Sequence, residues 1–447
     1  MTSIGLRAGV PGTIRAEATE LLGREVILVH SDPTIRRGAL DLKSSETIAL
    51  AANMARELRV PLVLVLSTSG SDVHDGGAGL HGWGKAAKAM ADLSGIVPVM
   101  VVMTGPILAG PALILGLADV VVMTTEATAY VVGPDTVEAI TGQRLTAAEL
   151  GGALVHARHT GVATAMLPDE EAALAWLAVL LDHLPSNVDE FPERVLVGDP
   201  SDRLTPEAGD LLPPTAAGSY DVRQVIEALV DDGYLHELWA LWSPNLVTAV
   251  ARIDGHAIGI VANQPANMAG TVDIAASQKG ARFVDLCDAM NLPILTLVDT
   301  PGFFPGKTLE WRGMIRHGAQ LVAAYARATV PRICIVLRKA YGGAYIVMDS
   351  KRLGNDICFA WPSAELAVMG AKGAVEILHR TSDEATRLAA LTEYEETLLT
   401  PWVAAERGYV DAVIDPSETR RELSAALDIL ISKREHLGAK SHDTGPL

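Results

Sequence analysis

The parts of this sequence best suited to chemistry are four glycine-containing turns, each placed between an apolar stretch and a helical pattern. They read STSG (67–70), LAGPA (108–112), DTPGFFPG (299–306) and AYGGA (340–344). Glycine allows close approach of a ligand, so backbone N–H groups in such turns can point into a cleft and stabilise an oxyanion. The alternative is that the glycines only make tight turns. Asp299, which opens the third turn, is a candidate general base, although an Asp before Thr-Pro-Gly more often caps the turn.

The common signatures of other reaction types are missing from the sequence. It contains no GxxxxGK[ST], no GxGxxG after the first strand, no HExxH and no GxSxG. His74, Asp75 and His81 lie near one another in sequence, as do His156 and His159, but neither group has a further ligand at a convincing spacing. We therefore expect polar loop chemistry at these residues and no metal site.

The glycine turns repeat because the chain contains two copies of one pattern. The stretch 60–70 resembles 292–302, and 97–110 resembles 330–343; Pro61 matches Pro293 at an offset of 232 residues and Pro98 matches Pro331 at 233. In each copy, uninterrupted apolar strands alternate with amphipathic helices, which is typical of parallel β-α-β units. A period this long indicates a duplicated domain, and the repetition strengthens the chemical interpretation of the glycines.

A proline-rich, acidic segment separates the two copies. Residues 185–214 contain six of the 24 prolines, which is typical of an exposed connection. We predict a first domain over residues 1–184, a linker with a connecting helix over 185–245, and a second domain over 246–447. Within this scheme, we expect the connecting helix at 221–229 and a strand at 257–263 that opens the second copy.

Composition limits the class of protein further. The chain has 447 residues, of which 49% are hydrophobic and 20% charged, so it is large enough for two or three folded domains. Its formal net charge of −18 repels phosphate backbones, which argues against a nucleic-acid partner. Cys287, Cys334 and Cys358 lie in apolar stretches without CxxC spacing, so we expect buried thiols and no zinc ribbon.

Two features bear on localisation. The N-terminal residues MTSIGLRAGV lack the pattern of a secretion signal, so we expect a cytoplasmic protein. The stretch between Asp92 and Asp119 carries no charge and is long enough to span a bilayer. Its prolines and glycines instead predict a buried strand at 97–103, a loop, and the start of a helix at 112–118. We therefore expect no membrane span.

Several long motifs in the second copy point to one family. They are IVANQP (260–265), AGTVDIAASQKGARFVDLCDAMNLPILTLVDTPGFFPG (269–306), IRHGAQLVAAYARATVPRICIVLRKAYGGAYIVM (315–348), DICFAWPSAELAVMGAKGAVEIL (356–378) and AAERGYVDAVIDPSETRRELSAALDIL (404–430). Together they closely resemble the carboxyltransferase (β) subunits of biotin-dependent acyl-CoA carboxylases, of the propionyl-CoA and acetyl-CoA carboxylase type. The first half resembles them more loosely, through GPDTVEAITGQ, ELGGALVHARHTGVA and LPSN. The N-terminal helical arm of that family is expected to be shortened here.

The resemblance implies a fold, an assembly and a reaction. The fold would be α/β, with two tandem crotonase-like domains (the ClpP/crotonase superfold), and the assembly a hexamer, a trimer of dimers, whose active sites lie between the first domain of one subunit and the second domain of its partner. The first domain would hold a short-chain acyl-CoA and the second carboxybiotin, whose carboxyl group moves to the acyl α-carbon. This chain has no AMKM-like biotinylation site, so biotin would arrive on a separate carrier protein from a biotin carboxylase/biotin carboxyl carrier subunit.

The resemblance also assigns site residues. Gly343 and Ala344 would hold the biotin ureido oxygen, and Ala109 and Gly110 the thioester oxygen. The remaining substrate-binding residues would be Gly70 and Gly302, which complete the walls, and Tyr341 and Ile346. The side chain of Ile346, where the family often has Asp or an apolar residue, should widen tolerance for acyl tails.

The first half departs from the family at its glycine turns. The family usually has DSGGAR and GPxAGGA, whereas this chain has STSGSD (67–72) and GPILAGPA (105–112). Pro111 removes one N–H donor, so we expect an unusual acyl substrate or a weakened half-site. Two alternatives to the carboxylase stay open: a biotin-dependent acyl-CoA decarboxylase subunit, and a non-catalytic CoA-binding or scaffold homologue.

Overall fold

The computed structural model describes residues 12–215 and 218–435, together with residues 437 and 445. The chain divides into two compact units. The first unit comprises the chain up to Phe191 together with Trp239–Trp242, and the second comprises Pro192–Leu238 and the chain from Ser243 onward. Most of the segment 185–245, which the sequence assigns to a linker, therefore lies in the second unit. The predictions about the N-terminal signal and helical arm fall largely on residues outside those described.

Among its described residues, the first unit contains seven strands and six α-helices. The strands are β1 (Ile14–Leu21), β2 (Arg24–Ser31), β3 (Leu62–Thr68), β4 (Val99–Leu108), β5 (Val120–Thr124), β6 (Ala129–Tyr130) and β7 (Ala165–Leu167). The helices are α1 (Leu42–Leu58), α2 (Gly77–Ala91), α3 (Pro134–Thr141), α4 (Ala147–Gly151), α5 (Ala153–Val155) and α6 (Glu170–His183), with a 3₁₀ helix at Gly110–Leu117.

These strands form one mixed sheet in the order β1-β2-β3-β4-β5-β7, with β6 paired to β4. Only β1 and β2 run antiparallel to each other, and the other pairs are parallel. Every residue of β3 is buried, as expected for a parallel strand covered on both faces. The predicted strand at 97–103 is present but continues to Leu108, which brings the chain directly to the glycine turn.

The second unit contains eight strands in its sheet and ten helices among its described residues. The strands are β8 (Leu235–Leu238), β9 (Leu246–Ile253), β10 (His256–Asn263), β11 (Ile294–Thr300), β12 (Arg332–Tyr341), β13 (Ile357–Ala360), β14 (Glu365–Ala367) and β15 (Ala412–Val413). The helices are α7 (Pro206–Asp210), α8 (Val222–Leu229), α9 (Ile274–Ala289), α10 (Lys307–Trp311), α11 (Met314–Arg327), α12 (Gly342–Val347), α13 (Ala371–Leu378), α14 (Glu384–Thr397), α15 (Pro401–Glu406) and α16 (Thr419–Leu430).

The second sheet repeats the plan of the first. Its order is β15-β13-β12-β11-β10-β9-β8, with β14 paired to β12 in the way that β6 pairs with β4. The pairing of β3 with β4 shifts register between Leu66 and Thr68, and the pairing of β11 with β12 shifts between Val298 and Thr300. Beyond this shift, β4 and β12 each gain a short parallel partner and then enter a glycine turn. The predicted α/β class and internal duplication are therefore present.

The connecting region packs into the second unit. Helix α8, predicted at 221–229, begins at Val222, and Asp221 caps it by accepting a hydrogen bond from the Arg223 N–H at 3.0 Å. Val225 and Leu229 of α8 lie in the same buried cluster as the sheet residue Ile258. This part of the chain thus contributes core to the unit that follows it.

Two predictions about burial can be checked in the described residues. No helix there is long and apolar enough to cross a membrane, and the uncharged stretch after Asp92 forms β4 and a 3₁₀ helix. Cys287, Cys334 and Cys358 are all buried free thiols, as predicted. Burial raises the pKa of the Cys287 thiol well above its usual range, so this residue behaves as a small apolar side chain.

Candidate active site

All four glycine turns follow parallel strands at their carboxyl ends. In the first unit, β3 leads to Gly70 and β4 to Gly110; in the second, β11 leads to Gly302 and β12 to Gly343. Ligands of open α/β sheets bind outside this edge, where strand ends diverge and loops leave room. Each unit therefore brings its own pair of turns to the edge where chemistry is expected.

The turns after β3 and β11 are built alike. In the first unit, the Leu40 N–H donates to the Gly70 carbonyl at 2.8 Å, and in the second the Val272 N–H donates to the Gly302 carbonyl at 3.1 Å. Gly302 has φ +142°, which is a backbone conformation that favours glycine. A backbone hydrogen bond therefore holds the Gly70 and the Gly302 carbonyl in place in the two turns.

The turn after β12 presents backbone donors. Gly342 has φ +60° and starts α12, which places Gly343 and Ala344 in its first turn. The first N–H groups of a helix have no acceptor within it, so they are available to a ligand. A Cβ atom added to Gly343 would meet only the Phe303 ring, at 3.5 Å, so the backbone here is open. The arrangement can hold a negatively charged oxygen.

Tyr341, the last residue of β12, is tied to β14. Its hydroxyl donates a hydrogen bond to Glu365. Burial, followed by this hydrogen bond, raises the pKa of Tyr341 far above its usual range. The phenol therefore stays protonated, and the hydrogen bond holds the end of β12 just before the Gly342 turn.

Asp299, at the end of β11, is hydrogen-bonded to the end of β12 and so joins the strands that lead to the second pair of turns. Its carboxylate, almost completely buried, accepts hydrogen bonds from the Tyr220 hydroxyl at 3.0 Å, the Arg338 Nε at 2.9 Å and the Lys339 N–H at 3.2 Å. Burial raises the pKa of Asp299, while the Arg338 charge opposes the rise. Because its oxygens are occupied by protein donors, the geometry favours the structural role over that of a general base.

The corresponding positions of the first unit hold a different pair. Ser67 is the counterpart of Asp299, because each lies at the register shift, just before Thr68 and Thr300 respectively. Gly105 on β4 is the counterpart of Arg338 on β12. A Cβ atom on Gly105 would lie 2.5 Å from the Ser67 Oγ atom, so the two residues are in close contact. Close packing therefore replaces an ion pair.

The turn after β4 offers fewer donors than the resemblance implies. Ala109 has φ +60°, and its N–H, expected to bind a thioester oxygen, donates instead to the Tyr130 carbonyl at 3.0 Å. Pro111 has no N–H. Gly110 opens the 3₁₀ helix, where the first N–H groups have no helical acceptor, so its N–H is the donor that this turn presents.

Trp83 packs on this turn, which the sequence reasoning missed. A Cβ atom on Gly110 would lie 3.0 Å from both Cε2 and Cζ2 of the Trp83 indole. The Trp83 Nε1 atom is buried and has no hydrogen-bond acceptor among the residues of the described ranges. Nothing in the local sequence indicates this contact, because α2 and the turn are separated by β4. The ring packs closely on the turn, so a side chain at position 110 would require the indole or the turn to shift.

A cleft of about 630 Å³ lies beside α12 in the second unit. It contains backbone of Gly342 and Gly343 and the side chain of Ile346, which is 44% exposed. Its walls come from β14, α14 and α15 as well as α12. Within the chain ranges that the structure describes, no three His, Cys, Asp or Glu side chains converge as metal ligands.

Comparison with protein families and known structures identifies the family. The carboxyl transferase domain model matches residues 6–444. The chain is 42% identical over 444 residues to the propionyl-CoA carboxylase beta chain of Saccharopolyspora erythraea, covering 95% of this chain and 81% of the relative. It is 39% identical over 426 residues to the methylmalonyl-CoA decarboxylase subunit alpha of Veillonella parvula, covering 95% of this chain and 83% of the relative.

A solved structure is similar along nearly the whole chain. The transcarboxylase 12S hexamer, solved with methylmalonyl-coenzyme A and methylmalonic acid, superposes with a TM-score of 0.95 at 40% identity, over 97% of this chain and 85% of the other. The predicted pair of tandem crotonase-like domains is thereby confirmed. The chain belongs to the carboxyl transferase family and is a biotin-dependent carboxyltransferase of the propionyl-CoA and methylmalonyl-CoA type.

Proposed function

We propose that this chain is the carboxyltransferase component of an acyl-CoA carboxylase and transfers a carboxyl group from carboxybiotin to the α-carbon of an acyl-CoA. The observation that carries this proposal is the pair of matching turns, one in each unit, that present the N–H groups of Gly110 and of Gly343 and Ala344. Two oxyanions arise in such a transfer, and each needs fixed donors more than it needs a side-chain base.

In the second unit, the Gly343 and Ala344 N–H groups would hold the ureido oxygen of biotin. Biotin, when bound in its carboxylated form, supplies the carboxyl group and leaves negative charge on that oxygen. The open backbone at Gly343 fits a ureido oxygen at hydrogen-bond distance, and the Tyr341–Glu365 hydrogen bond and the Asp299 anchor support the strand ends beneath it. Gly302 would form a wall of the same site.

In the first unit, the Gly110 N–H would hold the thioester oxygen, with Gly70 as a wall. The Ala109 N–H would contribute only if its bond to Tyr130 opened, so this half depends on fewer donors than the other. Ile346 would border the acyl group. The reduced donor set supports the expectation of an unusual acyl substrate or a weakened half-site.

The assembly and partners follow from the resemblance. We propose a cytoplasmic hexamer, a trimer of dimers, in which residues 1–184 act on the acyl-CoA side and residues 246–447 on the carboxybiotin side. Biotin would reach the site on a separate carrier from a biotin carboxylase/biotin carboxyl carrier subunit. The transcarboxylase 12S relative is a hexamer with a coenzyme A ester bound, which supports this assembly.

A decarboxylase subunit is the second candidate, because the same site could act in the opposite direction. The 39% identity to the Veillonella parvula decarboxylase subunit favours keeping this candidate. The two functions differ in the partner that binds: a biotin carboxylase subunit for carboxylation, and a membrane decarboxylase subunit for the reverse.

The test is capture of the biotinylated partner on avidin, followed by an acyl-CoA panel. With ATP and labelled bicarbonate, we expect acid-stable label in the acyl product only when this chain, the partner and an acyl-CoA are all present. Absence of label with every acyl-CoA tested, while the partner's biotin is demonstrably carboxylated, would refute the carboxylase. A captured membrane decarboxylase subunit would assign the second candidate.

A further inference from the structure

A buried ion pair joins the start of β12 to the chain just after α12. Arg332 is the first residue of β12, and Asp349 lies two residues beyond the end of α12. The Arg332 Nη1 atom donates to the Asp349 Oδ1 atom at 2.6 Å, and the two side chains are 2% and 0% exposed. The strand, the Gly342 turn and α12 therefore form a loop of chain that this pair closes.

The segment after α12 is held by the same two residues. The Arg332 Nη2 atom also donates to the Gly354 carbonyl. The Asn355 Nδ2 atom donates to the Asp349 carbonyl at 2.6 Å. Helix α12 has only six residues, and so short a helix is not stable by itself. Its orientation therefore depends on the contacts at its ends.

The first unit has the same strand start without the ion pair. The Asp119 carboxylate accepts from the Val99 N–H at 2.9 Å, and the Asp356 carboxylate accepts from the Arg332 N–H at 2.8 Å. In return, the Asp119 N–H donates to the Val99 carbonyl at 2.8 Å and the Asp356 N–H to the Arg332 carbonyl at 3.0 Å. Val99 and Arg332 are thus structural counterparts that differ in side chain.

The fold does not require the pair. At the offset of 233 residues, Gly116 stands where the second copy has Asp349, so both partners are missing from the first copy. Replacing a buried ion pair by uncharged residues often leaves stability unchanged, so the pair is weak evidence for a stabilising role. Its role is better sought in α12, which carries the Gly343 and Ala344 donors.

Titratable and charged side chains face Asp349 from several elements. They are Arg332 and Cys334 of β12, Tyr325 of α11, Tyr345 of α12, Asp356 before β13 and Lys433 after α16. Burial raises the pKa of Asp349 to about 6, and the Arg332 charge opposes the rise. The Asp349 Oδ2 atom is buried and has no hydrogen-bond donor among the described residues, so a proton can settle there. Arg332 then loses its anionic partner.

We propose that Asp349 is a positioning residue for the Gly343 and Ala344 donors. As a carboxylate paired with Arg332 it holds the end of α12, and with a proton on Oδ2 it releases that end. Asp349 does not touch the substrate and acts through the helix. The inference rests on the proposed function, because it makes the carboxybiotin side of the site sensitive to pH.

Amide hydrogen exchange tests the hold on α12 without any substrate. The peptide 342–348 is compared with its counterpart 110–117 from pH 5 to pH 7.5, each rate being divided by that of the unfolded chain at the same pH. In wild type, we expect exchange in 342–348 to rise as pH falls through about 6, and that in 110–117 to stay constant. In Asp349→Asn, which keeps the shape but cannot ionise, exchange should be fast throughout.

A double variant decides the matter where Asp349→Asn alone does not fold, since that change leaves the Arg332 charge buried without its anion. Arg332→Val combined with Asp349→Gly gives the second copy the residue types that the first copy has at 99 and 116. We expect this protein to fold and to exchange 342–348 roughly tenfold faster than wild type at pH 7. Wild-type exchange in the double variant would overturn the inference.

Kinetics separate positioning from a purely structural role. With a carboxylated biotin carrier and propionyl-CoA, we expect the double variant to lower kcat roughly ten- to a hundredfold, with KM for propionyl-CoA changed less than about twofold. Wild-type kcat should fall below about pH 6, and the ratio of variant to wild type should therefore rise there. Glu376→Gln, at an exposed carboxylate of α13, is the control and should follow wild type. A ratio that stays constant with pH would contradict the proposal.

Failure of this inference is distinguishable from failure of the proposed function. If propionyl-CoA is carboxylated but exchange in 342–348 is the same in wild type and the double variant, the inference is wrong and the proposed function stands. If no acyl-CoA is carboxylated but exchange in 342–348 rises in the double variant and, in wild type, below about pH 6, Asp349 holds α12 as inferred and the proposed function is wrong.

Discussion

The Arg338 guanidinium donates a hydrogen bond from Nε to the buried Asp299 carboxylate at 2.9 Å, and this contact joins the ends of β11 and β12. The same guanidinium also donates from Nη1 to the carbonyls of Thr215 and Gly218, at 3.2 and 2.9 Å. The turns at Gly302 and Gly342 leave from these two strand ends. One ion pair therefore fixes the spacing between the turns of the second unit.

Removing one partner of this pair should destabilise the second unit. Arg338→Met leaves the Asp299 carboxylate buried without its cation, and breaking a buried pair in this way costs about 3–5 kcal/mol. We expect a lower midpoint of thermal unfolding and a loss of carboxyl transfer. Asp383→Asn, at the exposed N-cap of α14, is the control and should leave the midpoint nearly unchanged, because Asn caps a helix about as well as Asp. Equal midpoints for Arg338→Met and wild type would show that the pair is dispensable.

Gly343→Val tests the proposed donors. The β-branched side chain would occupy the space in front of the Gly343 N–H, and losing such a donor typically costs about 3–4 kcal/mol of barrier, or roughly 10²–10³ in kcat. The fold should be little affected, because the added Cβ meets only the Phe303 ring at 3.5 Å. Turnover is measured with a carboxylated biotin carrier. Gly373→Val, whose Cβ meets Met369 Sδ at 3.5 Å on α13, is the control. Near wild-type turnover of Gly343→Val would refute the assignment.

Gly110→Ala tests the contact between the first-unit turn and Trp83. The added methyl would lie 3.0 Å from the indole, and such overpacking costs about 1–3 kcal/mol of stability. We expect kcat/KM for acyl-CoA to fall as the Gly110 N–H moves. Trp83→Leu in the same chain should relieve the contact, so the two changes should be non-additive in unfolding free energy. Strict additivity would mean that the indole does not determine the position of the turn.

Ile346→Asp tests acyl selectivity. An acidic side chain in place of an apolar one should shift the preference among acyl groups while leaving the backbone donors in place. Because one methylene contact is worth about 1–3 kcal/mol, selectivity should change by roughly ten- to two-hundredfold. The readout is kcat/KM for acetyl-, propionyl- and butyryl-CoA in both proteins. Unchanged ratios would make Ile346 a packing residue and move the specificity determinant elsewhere.

Lys279 should make stability depend on pH. Its ammonium is buried on α9 and donates to the Leu246 carbonyl at 2.6 Å, and burial lowers its pKa from 10.5 to about 7. Between pH 7 and about 10.5 the unfolded lysine holds a proton that the folded one has lost, so its contribution to stability rises with pH. Below pH 7 the folded Lys279 is protonated, so burying its charge lowers the free energy of unfolding by its full amount.

The measurement compares wild type with Lys279→Met by thermal unfolding from pH 7 to pH 10. We expect the wild-type midpoint to rise relative to that of the variant as pH increases. Lys372→Met, an exposed lysine of α13, serves as the control and should run parallel to wild type. A difference between wild type and Lys279→Met that stays constant across this range would contradict the lowered pKa.

The repeat made most of the fold predictable. Two matches at offsets of 232 and 233 residues predict two copies of a parallel sheet, and apolar runs such as 62–68 predict its central strands. Strand β8 was not predictable in the same way: Leu235–Leu238 is four residues long and lies within residues 185–245, which the sequence assigns to a linker with a connecting helix. Its pairing with β9 is a tertiary effect that overrides local composition.

The site was predictable only where it depends on backbone. Glycine turns are visible in sequence because φ and close approach restrict the residue type. The residues that contact these turns are not visible in sequence, because each comes from another element of the chain. They are Trp83, which packs on Gly110; Tyr130, which accepts from the Ala109 N–H; and Tyr220, which donates to Asp299. Such contacts depend on how the sheet and helices bring distant segments together, which no local spacing records.

Ser67 and Gly105 are in close contact, whereas their counterparts Asp299 and Arg338 form an ion pair. The two copies therefore tolerate different substitutions at these positions. In the second unit, a substitution is tolerated only if charge is conserved on both sides of the pair or removed from both at once. In the first, volume is the limit, since even one methyl group at position 105 would collide with Ser67. Space therefore limits substitutions in the first copy and electrostatic balance limits them in the second. No single substitution can convert the Ser67–Gly105 packing into an ion pair like that of Asp299 and Arg338.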